Sequence, residues 1–264
     1  MCLIVLAWKA HPQYPLVLAT NRDELHERHS APLDYWEGMT NVLGGRDMEK
    51  GGSWLATNVD GRWAAVTNYR DGSPSSAPAP SRGHLVSDYV SSDQLVAAYA
   101  ADVEESLSEY SGCNLLIFGA EGLFYASNRH ESGPRSRIET VTPGIHGLSN
   151  HLLDTPWPKV ERCKQHMETL LDSDDEAITM SLFELLADRS IADDSDLPST
   201  GVSIERERVL SAPFIVADTY GTRASTVLLI DNQGAVQMHE RGFAADGAEI
   251  GQRSFSFNAS GYTR

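Results

Sequence analysis

The strongest constraint on this chain is a series of β-rich segments joined in pairs by short turns. Residues 2–8 and 15–21 flank a turn at His11-Pro12-Gln13, and residues 53–58 and 62–69 flank Asp60-Gly61. An Asp-Gly pair between β-rich runs is a strong hairpin signal, because glycine supplies the positive φ of a tight turn. Residues 114–120 and 123–128 turn at Glu121-Gly122. β-rich segments recur at 214–217, 223–231 and 235–243, the last two joined by Asp231-Asn232-Gln233-Gly234. Helical periodicity lies between these blocks. Ser91-Ser92-Asp93-Gln94 reads as a capping box opening a helix with Leu95, Ala98, Tyr99, Val103 and Leu107 at apolar positions. Further helices are predicted over 157–171, with Val160, Cys163, Met167, Leu170 and Leu171 apolar, and over 175–188.

The order is strands, helix, strands, helices, strands. Antiparallel hairpins with clustered helices predict an α+β layered fold rather than alternating βαβ units. Two antiparallel sheets between helix layers account for this order; helices on one face only are the simpler alternative. The 264 residues, 41% hydrophobic, suit one large domain spanning 1–264. Residues 71–83, rich in Ser, Pro and Gly, and the acidic residues 188–203 read as surface loops, since neither separates two halves that each hold a core.

Charge and cysteine usage narrow the function. With 21 basic and 37 acidic residues the formal charge is −16. Phosphate binding needs clustered Lys and Arg, so no nucleic-acid partner and no docking on an anionic membrane face is expected. No apolar run approaches the roughly 20 residues of a transmembrane helix. The apolar start lacks the basic flank and cleavage site of a signal peptide. Three cysteines make no disulfide framework, which predicts a cytoplasmic protein.

The most informative residue is Cys2. Loss of Met1 would leave one residue carrying both a thiol and a free α-amine. The amine titrates near 7.7–8.0, the thiol near 8.5, so the amine can serve as base for its own nucleophile. A small buried hydrophobe at a strand start is the plainer alternative. Pairing about Pro12 gives partners whose numbers sum to roughly 24, which brings Asn21, Arg22 and Asp23, followed by Glu24, beside Cys2. Asp23 is placed to hold and orient the α-ammonium. Amide hydrolysis also needs donors for an oxyanion, and Asn68 and Asn150 carry suitable amides, although Asn at a strand end also serves as a turn residue. Arg223 begins an apolar strand, where a charge needs either an ion-pair partner or a role in a pocket.

These residues carry a family resemblance. Met1-Cys2-Leu3-Ile4, Asn21-Arg22-Asp23-Glu24, Gly44-Gly45-Arg46-Asp47, Gly52-Ser53-Trp54-Leu55, Thr67-Asn68-Tyr69-Arg70, Leu148-Ser149-Asn150, Trp157-Pro158-Lys159-Val160 and Tyr220-Gly221-Thr222-Arg223 occur in order along nearly the whole chain. Together they resemble the NRDE-motif family, also called the transport and Golgi organisation protein 2 family. That family is in turn similar to the N-terminal-nucleophile hydrolases of the choloylglycine hydrolase and penicillin V acylase group. The resemblance implies a four-layer αββα sandwich. It implies a cysteine amidohydrolase or acyltransferase in which Cys2, Asp23, Asn68, Asn150 and Arg223 are catalytic. Asn21, Arg22 and Glu24 would then line the substrate site. The acylases place an arginine three residues before the Asp; this chain has Thr20 there, and its arginine is Arg22.

The ligand expected on this reading is a non-peptide amide or thioester of an acyl group. The alternative is a carrier or chaperone for haem or acyl lipids in the same cleft, and a third reading is a scaffold with no small ligand. No cofactor is required. Reversible haem binding leaves no mark in a sequence and is kept as an expectation from the family's links to haem trafficking and to lipid and acyl-CoA metabolism. Covalently attached haem is not expected, since the chain has neither a Cys-Pro pair nor Cys-x-x-Cys-His. No metal site is expected, because His26 and His29 beside Glu24 and Glu27 fix no third ligand. Asp172-Ser173-Asp174-Asp175-Glu176 has Ala177 and Phe183 where a calcium loop needs Gly and Glu. Nucleotide-binding loops and the serine-hydrolase elbow have no match.

Overall fold

The structure is a computed structural model that describes residues 3–72, 79–130, 137–171 and 178–260. Cys2, part of the 71–83 loop and the Asp172–Glu176 run lie outside these residues, as does the start of the helix predicted from 175.

The described strands form two antiparallel sheets. One has the order β10 (Gly144–Leu148), β1 (Leu3–Trp8), β2 (Leu16–Leu25), β11 (Tyr220–Ile230), β12 (Ala235–Phe243), β13 (Glu249–Asn258). The other runs β3 (Ser30–Trp36), β4 (Met39–Asp47), β5 (Leu55–Asn58), β6 (Trp63–Asn68), β7 (Cys113–Gly119), β8 (Gly122–Ser127), β9 (Arg137–Thr140). The two-residue period of a strand distributes the apolar side chains. Ile4, Leu6, Leu16, Leu18, Leu228 and Ile230 meet Leu55, Trp63, Leu116 and Phe118 of the opposite sheet in the central layer. Their neighbours Leu3, Val5, Val17, Ala19, Val227 and Leu229 point outward onto α3 (Pro158–Leu171) and α4 (Ile178–Leu186). On the other outer face, Val42, Ala56, Ala64, Leu115 and Ile117 pack against α1 (Gly83–Ser91) and α2 (Val96–Ser106). At about 1.5–3 kcal/mol per buried large aliphatic side chain, three such layers drive the stacking. The architecture is the αββα sandwich, with helices on both faces.

Several local expectations need correction. No capping box opens α2: its N-cap is Leu95 with no side-chain cap bond, and Ser92 instead ends α1, its Oγ donating to the Tyr89 carbonyl at 3.0 Å. Residues 214–217 form no strand, only a single bridge between Val216 and Gly221. Strands β3, β4, β9, β10 and β13, and helices α1 and α5 (Ile204–Leu210), carried no recognised pattern. His26 and His29 follow β2 in a turn rather than a helical turn. The first hairpin matches expectation: Leu3 pairs with Asn21 and Trp8 with Leu16, each summing to 24. No described helix is long and apolar enough to cross a membrane.

Candidate active site

The start of β1 lies between two polar strand ends. On one side Leu3 pairs with Asn21, and Arg22, Asp23 and Glu24 follow along β2. On the other Ile4 pairs with Leu148, and Ser149 and Asn150 follow β10. Alternation then splits the Asn-Arg-Asp-Glu run between two faces. Asn21 turns to the helix-covered face, where Nδ2 donates to the Leu186 and Pro213 carbonyls at 2.8 and 2.9 Å and Oδ1 accepts from Ser225. Asp23 lies 2% exposed, and its Oδ1 accepts from Thr222 Oγ1 at 2.6 Å. A buried carboxylate retained at a strand end needs such donors to offset its lost hydration.

Arg22 and Glu24 line a cavity of about 230 Å³ with Arg28, Asp47, Lys50, Ser53, Trp54, Asn68 and Arg82. The Arg22 guanidinium stacks over Trp54 with its centre 4.4 Å from the ring centroid. Charges alternate along the wall. Glu24 lies 3.7 Å from both Arg22 and Arg28, and Arg28 Nη2 bonds Asp47 Oδ2 at 2.5 Å. Burial alone would raise the Asp47 pKa; the Arg28 bond and the backbone N–H groups of Glu49 and Lys50 outweigh it, and the carboxyl is held below its ordinary range. Trp54 reaches this wall because residue 45 is glycine: a Cβ there would stand 2.2 Å from the indole.

Asn68 ends β6 and lines the same cavity. Asn150 joins it across the two sheets, its Nδ2 donating to the Asn68 carbonyl at 3.0 Å, while its own carbonyl accepts from Arg70 N–H at 2.7 Å. Asn150 has φ 57°, the left-handed region that Asn tolerates better than most residues. Buried Asn114 anchors this loop through its bonds to Thr67 and the His151 carbonyl. Arg223 stands apart, at a bulge in β11 between Thr222 and Ala224. Its Nη1 is 3.3 Å from His26 Nδ1, and it lines a neighbouring cavity of about 280 Å³ with Pro32, Phe243, Ile250 and Glu240. Trp54 borders both cavities. Burial raises the Glu240 pKa.

The structure thus gathers Asp23, Asn68 and Asn150 around the start of β1, puts Arg22 and Glu24 on the adjacent cavity, and leaves Asn21 and Arg223 off that wall. Thr20, where the acylases have arginine, donates to the Leu3 carbonyl at 2.6 Å. Sequence reading gave Thr222, Arg28, Asp47 and Trp54 no role. The glycines at 44–45 and 52 around Trp54 were the available signal of a close approach. Among the described residues no three His, Cys, Asp or Glu side chains form a metal cluster.

Comparison with known proteins agrees with this architecture. The chain is 32% identical over 261 residues to the mouse Transport and Golgi organization 2 homolog, covering 91% of this chain and 92% of that protein. The human homolog is 32% identical over 260 residues with the same coverage. A Caenorhabditis elegans N-acylethanolamine-hydrolyzing acid amidase ortholog superimposes with a TM-score of 0.53 at 13% identity, covering 86% of this chain and 92% of that one. The profile of the Transport and Golgi organisation 2 family matches residues 1–245. With its two sheets stacked between helix layers in the N-terminal-nucleophile hydrolase fold, the chain belongs to the Transport and Golgi organisation 2 family.

Proposed function

We propose that this protein is a cysteine acyl hydrolase or acyltransferase that uses Cys2, freed of Met1, on a non-peptide amide or thioester. The reading is carried by the register: the strand leading from Cys2 enters the sheet between β2, which carries Asp23, and β10, which Asn150 follows, and Asn150 is bonded to Asn68 of the facing sheet. The α-amine takes the thiol proton as sulfur bonds to the carbonyl carbon. Asp23 holds the resulting ammonium. Asn68 and Asn150 supply amide N–H groups toward the oxyanion. On collapse the carbon–nitrogen or carbon–sulfur bond breaks, and the ammonium returns its proton to the leaving group. Water then cleaves the acyl-cysteine with the amine as base; an acceptor nucleophile in its place gives transfer. Arg223, on the second cavity, holds a remote part of the substrate. The cations Arg22, Arg28, Lys50 and Arg82 face Glu24 and Asp47 on the first cavity and favour a polar or anionic leaving portion; the Phe243 and Ile250 side takes the acyl part. The matching fold of the nematode amidase supports amide chemistry on acyl groups.

Intact-mass spectrometry before and after treatment with a p-nitrophenyl ester tests this. Burial pushes the Cys113 and Cys163 thiols up to about 12, so neither supplies thiolate near neutral pH. Wild type should lack Met1 and gain one acyl group, and Cys2→Ala should gain none while keeping its circular dichroism. Equal acylation of Cys2→Ala would sink the catalytic role.

A second reading is a carrier for acyl lipids, favoured by the two cavities meeting at Trp54. It predicts that Cys2→Ala binds a fluorescent acyl lipid as tightly as wild type and that neither protein turns it over.

A further inference from the structure

Residues 200–215 touch both halves of the proposed site, Asn21 and Thr222 at one end and Arg70 and Gly72 at the other. At the far end, the Pro213 carbonyl accepts from Asn21, and Ile215 N–H donates to Thr222 Oγ1, which itself donates to Asp23. At the near end, Glu207 of α5 lies 2% exposed with its Oε2 3.2 Å from Arg70 Nη2. Its other oxygen accepts from Thr200 N–H and Oγ1 at 3.1 and 2.5 Å. The Arg70 guanidinium also lies over Trp157, 4.6 Å from the ring centroid. Gly72 packs so closely on Thr200 and Gly201 that a Cβ would come within 2.9 Å of the Thr200 carbonyl.

Two facts make the Arg70–Glu207 pair more than a surface ion pair. Glu207 is 2% exposed and Arg70 14%, so the Glu207 charge depends on Arg70 to offset its lost hydration, and Trp157 restricts the guanidinium from its other face. Arg70 is also the residue whose N–H pins the Asn150 carbonyl at 2.7 Å, two residues from Asn68. Fixing the Arg70 side chain between Glu207 and Trp157 therefore fixes the backbone that sets Asn150 against Asn68. We infer that Glu207 and Arg70 are positioning residues: through them the 200–215 strap holds the oxyanion amides of Asn68 and Asn150 in register with the Cys2 end of β1. The inference rests on the catalytic reading above.

A comparison of two Cys2 reactions tests it. Acylation by a p-nitrophenyl ester passes through a tetrahedral oxyanion; alkylation by iodoacetamide displaces iodide without one and so reports thiol exposure and ionisation alone. Glu207→Gln should slow acylation by about 10- to 100-fold, the size expected for misplaced catalytic groups, and leave alkylation unchanged. Arg70→Lys, which keeps the charge and loses the planar fork, should fall between wild type and Arg70→Gln. Acylation and alkylation slowed equally, or neither slowed, would overturn the positioning role. Should Glu207→Gln fail to fold, the Arg70→Lys ratio of the two rates decides alone. Wild type that is alkylated but never acylated would overturn the catalytic reading itself, a result visible before any variant is made.

Discussion

At the scale of single residues, the site depends on side chains placed by alternation. Asn21 and Asp23 share the helix-covered side while Arg22 and Glu24 share the cavity, a division fixed once Leu3 pairs with Asn21. Asn150 combines two demands, a φ of 57° and an amide aimed at the Asn68 carbonyl. These separate by substitution. Asn150→Gly accepts the backbone angle and deletes the amide, so acylation of Cys2 should fall by about 10²–10³-fold, and Tm should fall through the lost bond to the Asn68 carbonyl. Asn150→Ala loses the same amide and also carries a left-handed alanine, costing roughly 1–2 kcal/mol further. Stopped-flow acylation and thermal melts distinguish the two losses; wild-type acylation by Asn150→Gly would remove Asn150 from the oxyanion site.

Among elements, the sheet edges add polar contacts to the apolar packing of residues such as Leu148, Phe255 and Phe257. In β10, His146 Nδ1 bonds Asp154 Oδ2 at 2.6 Å and Nε2 lies 2.8 Å from the Thr142 carbonyl. The Asp154 hydrogen bond, against the opposing effect of burial, raises the imidazole pKa above its ordinary 6.5. A raised folded value means that the pair's stabilisation is complete below pH 6.5 and is lost as pH rises through the folded pKa. With Asp154 a third exposed, the contribution is on the order of 1 kcal/mol or less. Urea denaturation should show wild type losing stability relative to His146→Gln as pH rises above 6.5; parallel pH profiles would exclude the pair. Short glycine-bearing β10 (Gly-Ile-His-Gly-Leu) gave no strand pattern, because its partner on β1 and these side-chain bonds supply what propensity lacks. The largely exposed strand β13 was equally illegible: it pairs with β12 along the backbone ladder, and Phe255 and Phe257 pack against the central layer.

At the scale of the whole molecule, a charge of −16 sets self-repulsion against three apolar layers. Exposed pairs such as Arg208–Asp194 and Arg253–Asp34 return little. Added NaCl shortens the Debye length from about 30 Å at 0.01 M to 10 Å at 0.1 M, so Tm should rise with salt over that range in differential scanning calorimetry. A falling Tm would mean that attractive pairs outweigh the repulsion. The sheet holding the site also joins distant parts of the chain: Asp23 and Thr222 are 199 residues apart, and Asn21 and Leu186 are 165.

That separation marks what sequence and tertiary structure each decided. The hairpins follow from local turns and alternation, and the first of them brings Asn21–Glu24 to the start of β1. The α+β class and, through the ordered motifs, the family were likewise legible in the sequence. Long-range packing is what brings Asn150 to Asn68, stacks Arg22 on Trp54, sets Arg223 off the first cavity at a bulge, and carries Glu207 to Arg70. A turn brings near neighbours together through backbone geometry alone. Contacts between sheets and across the strap require the three apolar layers to stack first, and their partners are then chosen by which buried polar groups satisfy one another.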